Sequence, residues 1–411
     1  MRSAHQPRKV SFFGHFGSLN PGNESTLHTI LLRLRSLAPQ SEFLCICSNP
    51  EAVAARDGIK ATPITTRFTR VWDREIPLTR RLPMAFVAVG AELRQYARAF
   101  RMLRGTDMLI VPGTGLLTDA FGLHHWGPYG MFRWVLVAKL RRCRVLFVSV
   151  GAGPIESIRG RVLVKAALSL ADYRSYRDEA SRDYLRGIGF RTNGDRVYPD
   201  LVFSLPDLFL THDHPRLERG RRVVGLGLML YAGKYSAADP CPGTYTTYLE
   251  SLAVLATWLL EHDYEIRLFF GDGDGDPIVI DEFRSVLRAR LGSYDEERII
   301  VHPIASVQDV LAALAASDVV VATRFHNVLL ALLLNKPAIA ISFHHKCSSL
   351  MCQMKLSEYI HEIHQMDAES LIRQFGKLEQ NREAVKRTIG DGVVEARAAL
   401  DEQYDLLFGR S

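Results

Sequence analysis

Short apolar runs alternate with longer amphipathic stretches along most of this chain. Runs such as Lys9–Gly14 and Arg144–Gly153 are mostly apolar and do not alternate apolar with polar residues, which is typical of strands buried on both faces. The stretches between such runs repeat apolar residues at helical spacing. This order predicts parallel sheets wrapped by helices, an α/β fold.

A polar segment, Asp207–Arg222, interrupts the alternation, and a second series of strands and helices follows it. Each series is long enough to form one Rossmann-like domain, and we expect the two domains to face a cleft where loops leave the carboxyl ends of the strands. The predicted parts are an N-terminal domain (1–206), a linker (207–221), a C-terminal domain (222–355) and a helical tail (356–411) that packs back on the first domain.

Composition narrows the class of protein. Hydrophobic residues make up 47% and charged residues 23% of the 411 positions, which excludes a mainly disordered, collagen-like or coiled-coil chain. The net charge of +6 is a mild surplus, so nucleic-acid binding does not follow from it. Ten lysines leave 41 arginines among the 51 basic residues, and guanidinium groups suit phosphate and carboxylate ligands.

Cysteine spacing and hydropathy predict the compartment. The six cysteines form no CxxC pair and no zinc-like cluster with histidine, which is typical of reduced thiols in a cytosolic protein. The first residues lack the apolar core of a signal peptide, and no apolar stretch reaches the ~18 residues of a membrane span. We therefore expect a cytoplasmic enzyme or binding protein that acts on an anionic ligand.

The segment Asp318–Lys346 places charged and titratable groups where a strand gives way to a helix. Arg324 and His326 lie at the predicted start of that helix, with Thr323 as its predicted N-cap. A helix N-terminus attracts anions, Arg binds phosphate or carboxylate with two parallel bonds, and His donates a proton near neutral pH. Lys346 follows the next strand at the same sheet edge. We predict that Arg324 and His326 are catalytic and that Lys346 binds substrate; a buried turn with structural partners is the alternative.

Glycine-containing loops follow three strands of the first half. The first has the Gly17–Gly22 spacing of a Walker A loop, but Asn23 and Glu24 replace its Lys and Ser/Thr, and Asn23 is a candidate helix cap. Glycines at strand ends let a ligand approach the backbone, or they simply permit tight turns. Arg177 ends another strand before Asp178, a predicted N-cap. The predicted substrate-binding residues of this half are Gly17, Asn20, Gly113, Gly115, Gly151, Gly153 and Arg177.

Acidic and histidine pairs give weaker signals for a metal. The loop Asp272–Asp276 alternates Asp with Gly, but an EF-hand counted from Asp272 would need Gly at Pro277 and Glu at Phe283. Its first three residues also fit the DxD of a nucleotide-sugar glycosyltransferase or a solvated acidic turn. The sequence also contains two pairs of adjacent histidines. Adjacent side chains on a strand or helix point in different directions, so no metal site is predicted at either pair. These pairs are His124-His125 and His344-His345.

The stretch Thr65–Leu82 mixes Arg with Phe and Trp. Such a mixture fits a basic surface for an anionic acceptor or a membrane-linked substrate. It also fits a solvated loop with aromatic anchors, which is the interpretation that the sequence favours.

An ordered set of motifs resembles the polysaccharide pyruvyl transferase family, which includes bacterial exopolysaccharide and cell-wall pyruvylation enzymes. From about Gly14 to Leu356 the chain contains GHFGSLNPGNE, DMLIVPGTG, VSVGAGP, SYRDEAS, VYPDLVF, TRFHNVLLAL and ISFHHK, in that order. The resemblance implies a glycosyltransferase-B-like pair of Rossmann domains, and we expect the acceptor side on the N-terminal domain (1–206) and the donor side on the C-terminal domain (222–355). It implies phosphoenolpyruvate as donor substrate, no further cofactor, and a sugar hydroxyl pair as acceptor. The implied product is a cyclic pyruvate ketal on the glycan.

The family's motif residues carry over as follows: its Arg-x-His element falls on Arg324 and His326, its Arg-Asp element on Arg177 and Asp178, and its lysine on Lys346. The first loop departs from the family at Asn23, where Asp is common, and the helix departs at Asn327, where a small residue is common. In the implied reaction, His326 protonates the methylene carbon of the enol, and sugar hydroxyls then attack carbon two.

The expected partners are phosphoenolpyruvate and a glycan or lipid-linked saccharide, without nucleic acid. The expected location is the cytoplasm, with peripheral association at the inner face of the membrane. A nucleotide-sugar-dependent glycosyltransferase of GT-B type is the alternative function, since it shares the architecture and also binds phosphate. A non-catalytic glycan-binding or scaffold protein would not require Arg, His and Lys at one strand edge.

Overall fold

The computed structural model describes residues 7–18, 20–66, 78–120, 122, 127–210, 220–231, 243–271, 277–292 and 294–409. Four segments singled out in the sequence lie wholly or mainly outside these described residues. They are the arginine-rich stretch Thr65–Leu82, the pair His124-His125, the predicted linker 207–221 and the acidic loop Asp272–Asp276.

The chain divides into two compact units. The first unit comprises Met1–Ser18, Thr26–Leu201 and Tyr404–Ser411, and the second comprises Leu19–Ser25 and Val202–Gln403. The predicted tail 356–411 thus groups with the second unit except for its last eight residues. The domain limits that the sequence suggests, at 206 and 222, stay predictions.

The first unit is built on one parallel sheet. Its strands are β1 (Lys9–Phe13), β2 (Glu42–Cys47), β3 (Lys60–Pro63), β4 (Met108–Pro112), β5 (Arg144–Val150), β6 (Tyr173–Tyr176) and β7 (Arg196–Val197). The helices that alternate with them are α1 (Pro21–Leu37), α2 (Pro50–Asp57), α3 (Leu78–Met102), α4 (Pro128–Leu140), α5 (Ile158–Ser169) and α6 (Glu179–Gly187). The strand order is β3-β2-β1-β4-β5-β6-β7. Strand β4 is buried at every residue, as expected of a strand covered by helices on both faces.

The second unit repeats this plan. Its strands are β8 (Val223–Leu228), β9 (Glu265–Phe270), β10 (Ile299–Val301), β11 (Val319–Ala322), β12 (Ala338–Ser342) and β13 (Ile360–Glu362). Its helices are α7 (Asp207–Leu210), α8 (Thr244–Glu261), α9 (Pro277–Leu291), α10 (Val307–Ala315), α11 (Phe325–Leu333), α12 (His345–Gln353), α13 (Ala368–Gln380) and α14 (Arg382–Phe408), which ends in residues of the first unit. All strands are parallel in the order β10-β9-β8-β11-β12-β13. The predicted α/β class with two parallel sheets is confirmed.

Local sequence signals explain where helix α2 begins and ends. The side chain of Asn49 accepts a hydrogen bond from the Ala52 N–H (3.3 Å), and Pro50 occupies the first helical position. Gly58 ends the helix with φ 64°, a left-handed conformation that favours glycine. These two caps fix where α2 begins and ends, and the first of them fixes the short turn between β2 and α2.

Of two helix caps predicted for the first half, one is confirmed and one is wrong. Asp178 caps α6 by accepting the Ser181 N–H at 2.6 Å. Helix α1, in contrast, is capped by Asn20, whose side chain accepts the N–H groups of Gly22 and Asn23. Proline favours the first helical position, so Pro21 places the cap three residues before Asn23.

The carbonyl of Ile64 accepts three side-chain hydrogen bonds in the first unit. The indole of Trp134, which is fully buried, donates to this oxygen at 3.0 Å, and the guanidinium of Arg133 donates at 3.0 Å. Arg98 of α3 donates to it at 3.1 Å, and burial together with the neighbouring Arg133 lowers the pKa of Arg98 to about 10. These bonds fasten one side of α3 to the unit.

Strand order identifies one switch point in each sheet. Chain direction across the sheet reverses between β1 and β4 in the first unit, and between β8 and β11 in the second. Ligands of open parallel sheets bind beside such points, at the carboxyl ends of the strands. Within the described residues, no helix is both long enough and apolar enough to cross a membrane.

Candidate functional site

The turn after β11 is held in place by a buried hydroxyl network. Thr323 is fully buried, and its Oγ1 shares a hydrogen bond with the Tyr248 hydroxyl at 2.9 Å. The same hydroxyl accepts the Met229 N–H, which follows β8, at 3.2 Å. The thiol of Cys347 donates to the Thr323 carbonyl from α12. The switch point of the second sheet therefore has a firmly positioned backbone.

This network also corrects the predicted cap of α11. Arg324, with φ −75° and ψ 130°, is the N-cap, one residue after the predicted Thr323. Since the Thr323 hydroxyl is engaged with Tyr248, it does not cap the helix. Arg324 therefore leaves the backbone at the point where the helix starts.

Glycine at position 271, just after β9, makes room for Arg324. A Cβ added at Gly271 would lie 3.0 Å from Cβ and Cγ of Arg324 and 2.8 Å from Oδ1 of Asn327. Arg324 is half-buried, so its stem packs against the neighbouring loop. A close glycine of this kind defines the course of the arginine side chain.

His326 lies in the first turn of α11. Its ring meets the Phe325 ring edge to face, with centroids 4.9 Å apart and an interplanar angle of 88°. It also lies directly against Gly22, where an added Cβ would be 1.8 Å from Nδ1, and residues 19–25 group with the second unit. The side chain of Asn20 caps the helix that begins there. His326 is therefore close to the starts of two helices, α11 and α1, whose N–H groups favour anions.

Lys346 lies in the first turn of α12, as the placement after β12 predicts. Its N–H donates to Nδ1 of His344, the N-cap, at 3.4 Å. Strands β11 and β12 pair in parallel, with Val320 opposite Ala338, so α11 and α12 start at the same sheet edge. The predicted shared edge for Arg324, His326 and Lys346 is confirmed; their contact with a substrate stays a prediction.

The glycine loops of the first unit are joined to each other. The Gly151 N–H donates to the Thr114 carbonyl (3.1 Å), and the Gly153 N–H donates to the Leu117 carbonyl (2.8 Å). Gly113 is buried against the Ser149 carbonyl, and Gly115 is half-buried. Two of the predicted substrate-binding glycines therefore use their N–H groups within the protein. Both glycines are buried, and their α-carbons face the side chains of Arg177 and Tyr184, so a contact with substrate stays a prediction.

Arg177 is buried, with 3% of its surface exposed. Its guanidinium forms ion pairs with Asp178 and Asp200, each at 3.4 Å, and both carboxylates are buried. A Cβ at Gly151 would lie 2.8–3.0 Å from this guanidinium, so the glycine seats the arginine. Arg177 thus joins three motifs that are separate in the sequence, VSVGAGP, SYRDEAS and VYPDLVF.

Asp119 ties the loop after β4 to the start of α5. Its carboxylate accepts the N–H groups of Glu156 (2.9 Å) and Ser157 (2.8 Å) and the Ser157 hydroxyl. Burial alone would raise the pKa of Asp119, but these hydrogen bonds outweigh it and hold the pKa below its ordinary value. The loops at this edge are therefore rigidly connected.

The loop after β1 contains Gly17, which the packing of the chain requires, and His15, which bonds to a neighbouring strand end. Gly17 has φ +79°, and an added Cβ would lie 2.2 Å from the Asn49 carbonyl oxygen, so the chain requires glycine here for its own packing. His15 is half-buried, and its Nδ1 shares a hydrogen bond with Ser48 Oγ, which follows β2. Sequence patterns did not reveal the His15–Ser48 pair, because its members lie on different strand ends 33 residues apart. Only the placement of both positions after apolar strands could have signalled it.

A second pair missed by the sequence lies in the second unit. The Tyr231 hydroxyl, after β8, and Nε2 of His364, after β13, are 3.5 Å apart, and their rings meet at 76°. These residues are 133 positions apart in the sequence, so no local pattern connects them. Within the part of the chain that the structure describes, no group of three or more His, Cys, Asp or Glu side chains is arranged to bind a metal.

Comparison with known families identifies one match. The model of the polysaccharide pyruvyl transferase family matches residues 20–345, which include Arg324 and His326 and end one residue before Lys346. No curated protein matches the sequence significantly.

Solved structures with the same fold cover nearly the whole chain. A UDP-GlcNAc 2-epimerase from Neisseria meningitidis, bound to UDP-GlcNAc, is 12% identical with a TM-score of 0.60, and the match covers 97% of this chain and 99% of that one. A glycosyltransferase from Rickettsia africae is 11% identical with a TM-score of 0.60, covering 99% and 100%. At such low identity the likeness shows the fold alone. The fold is that of GT-B glycosyltransferases and epimerases, as the sequence predicts.

Proposed function

Because the chain belongs to the polysaccharide pyruvyl transferase family, we propose that it transfers the pyruvyl group of phosphoenolpyruvate to a sugar hydroxyl pair of a polysaccharide or its precursor. The product is a cyclic ketal that adds one carboxylate to the glycan. The observation that carries the proposal is the placement of Arg324 and His326 at the start of one helix, beside the switch point of the second sheet.

The donor has two anionic groups, and the proposal assigns cationic groups to both. Arg324 binds the phosphate or the carboxylate with two parallel bonds, because its planar guanidinium matches either geometry. Lys346 supplies a second positive charge from the start of α12. The helix starts at this edge add N–H groups that favour an anion. No metal ion takes part, so full activity is expected in the presence of a chelator.

His326 is the proposed general acid. A proton from His326 forms the new C–H bond at the methylene carbon, and carbon two becomes electrophilic. The first sugar hydroxyl forms a C–O bond there and loses its proton, which restores His326. The C–O bond to phosphate then breaks, and the second hydroxyl closes the ring, its proton leaving with inorganic phosphate. Two hydroxyl protons are thus consumed, one by the methyl group and one by phosphate.

The first unit has the acceptor role in this proposal. We assign the acceptor to the loops that contain Gly113, Gly115, Gly151 and Gly153, of which Gly115 is half-buried and the other three are buried. Arg177 holds these loops in position through its buried ion pairs. A lipid-linked acceptor would require the cytoplasmic protein to associate with the inner face of the membrane.

The direct test combines mass spectrometry with phosphate release. Enzyme, phosphoenolpyruvate and candidate glycans should give a product heavier by the mass of the ketal, with one phosphate released per ketal. Thermal protection by phosphoenolpyruvate, and none by UDP-sugars, is expected. Protection by a nucleotide sugar alone, with no ketal on any acceptor, would support the alternative of a glycosyltransferase, whose fold this chain shares.

A further inference from the structure

The positive charge of this chain is concentrated in one stretch. Residues 65–104 contain nine arginines and three acidic residues, a surplus of six, which equals the surplus of the whole chain. The remaining 371 residues contain 42 basic and 42 acidic side chains and are neutral. The basic character of the protein is therefore a local property of the stretch that contains α3.

Helix α3 exposes apolar side chains along one line. Val89 is 59% exposed, Leu93 66% and Phe100 42%. At about 100° per residue these three positions lie within about 40° of each other around the helix, over a length of about 16 Å. Exposed apolar residues aligned in this way are unusual on a surface that meets only water.

Exposed arginines lie on one side of this line, and the acidic group on its other side is paired within the protein. Arg94 and Arg101 are exposed about 100° from the apolar line. Among described residues 88–104 the one acidic side chain is Glu92, which lies on the other side and binds Arg133 and Tyr129, each at 2.7 Å. The surface is therefore apolar and cationic together.

The end of α4 extends the same surface. Leu140 is 64% exposed, and the guanidinium of Arg141 stacks on the Phe100 ring at 3.9 Å and donates to the Phe100 carbonyl. Arg142 and Arg144 follow, both exposed. Two neighbouring helices thus contribute the same combination of apolar and cationic side chains.

We propose that this α3 face, defined as Val89, Leu93, Arg94, Phe100 and Arg101, docks on an anionic lipid bilayer. The apolar line enters the boundary between headgroups and acyl chains, and the flanking arginines bind lipid phosphates. A bilayer fits better than a soluble anion, because an anion offers nothing to cover Val89 and Leu93. The biological purpose of the docking rests on the proposed function, in which a lipid-linked acceptor brings the protein to the membrane. The docking itself does not depend on any step of the proposed reaction.

The experiment is co-sedimentation of the full chain with phosphatidylcholine vesicles, with and without phosphatidylglycerol. We expect binding to the anionic vesicles that weakens as salt rises, and little binding to the neutral ones. The double variants Val89→Glu/Leu93→Glu and Arg94→Glu/Arg101→Glu should each lower the binding constant at least about tenfold. Matched controls are Val394→Glu and Arg387→Glu on α14, where Val394 is 68% exposed and Arg387 is exposed.

Several outcomes would overturn the docking proposal. These are failure of the wild-type chain to bind anionic vesicles, equal losses in the α14 controls, and variants that abolish self-association while vesicle binding persists. Thermal unfolding identifies variants that fail to fold, and Leu93→Ser then replaces the double glutamate. Phosphate release with a water-soluble glycan should be unchanged in the α3 variants. Ketal formation without vesicle binding would refute only the docking, and vesicle binding without any ketal would refute only the transferase.

Discussion

Arg177 and Arg324 each lie between the end of a strand and the start of a helix, yet their environments differ. Each follows a strand directly or by one residue and precedes a helix. Arg177 is 3% exposed and pairs with two buried carboxylates, whereas Arg324 is half-buried at the start of α11. Hence the same local pattern produces a structural crosslink in the first unit and a candidate ligand group in the second.

The difference shows what decides the role of an arginine at a strand end. A buried guanidinium needs carboxylates to compensate its charge, and Asp200 supplies one from a segment 23 residues away. Gly151 then completes the seat by leaving room for the guanidinium. At Arg324 the corresponding glycine, Gly271, accommodates the aliphatic stem of the side chain. The charged end of Arg324 is consequently the part that we assign to the donor.

The largest effect on turnover is expected from a substitution of His326, at the sheet edge of the second unit. His326→Gln should lower kcat by about 10²–10⁴-fold, because glutamine cannot supply the proton to the methylene carbon. Binding of phosphoenolpyruvate, measured by calorimetry, should be nearly unchanged. His262→Gln, at the far end of α8, is the matched control and should keep full turnover. Undiminished kcat in His326→Gln would remove the general-acid role.

The next largest effect is a loss of stability in the first unit, and it tests whether Arg177 has a structural role. Arg177→Met leaves two buried carboxylates without their cation and should lower the free energy of unfolding by about 3–5 kcal/mol. Adding Asp200→Leu to this variant should recover part of the loss. The control Arg186→Met breaks the exposed pair with Asp183 and should cost at most about 1 kcal/mol. Denaturant unfolding measures all three, and a stable Arg177→Met with a raised KM would make Arg177 a ligand group like Arg324.

The smallest effect is expected when the planar guanidinium of Arg324 is replaced by the ammonium group of lysine. Arg324→Lys keeps the charge but loses the two parallel bonds, so the KM for phosphoenolpyruvate should rise about tenfold while stability changes by less than about 0.5 kcal/mol. Arg288→Lys, at an exposed ion pair of the same unit, should leave both quantities unchanged. An unaltered KM in Arg324→Lys would remove this residue from the donor site.

Much of the fold follows from local patterns in the sequence. Apolar runs located most of the strands but not β3 or β13, which are short and contain polar residues. Asp178 was correctly predicted as a cap because acceptor side chains prefer that position. Two caps were predicted at the wrong residue. Helix α1 is capped by Asn20, because Pro21 decides where that helix starts. Helix α11 is capped by Arg324, because the Thr323 hydroxyl bonds to Tyr248 instead. Strand-end placement also put Lys346 at the same edge as Arg324.

Contacts between distant segments could not be predicted from the sequence. The glycine loops after β4 and β5 bond to each other through Gly151 and Gly153, a pairing that no spacing rule contains. The His15–Ser48 pair likewise depends on two strands that lie side by side. Both features arise from strand order, which is a property of the sheet.

By itself, the sequence determined which chemical groups this protein has at its strand ends, because the alternation of apolar and helical stretches dictates where each strand stops. Only the tertiary structure decided which of those groups are consumed in holding the protein together. Burial makes an uncompensated charge costly, so a cation such as Arg177 is committed to structure once the fold brings carboxylates to it. That choice depends on residues far away in the chain, and therefore on the folded molecule.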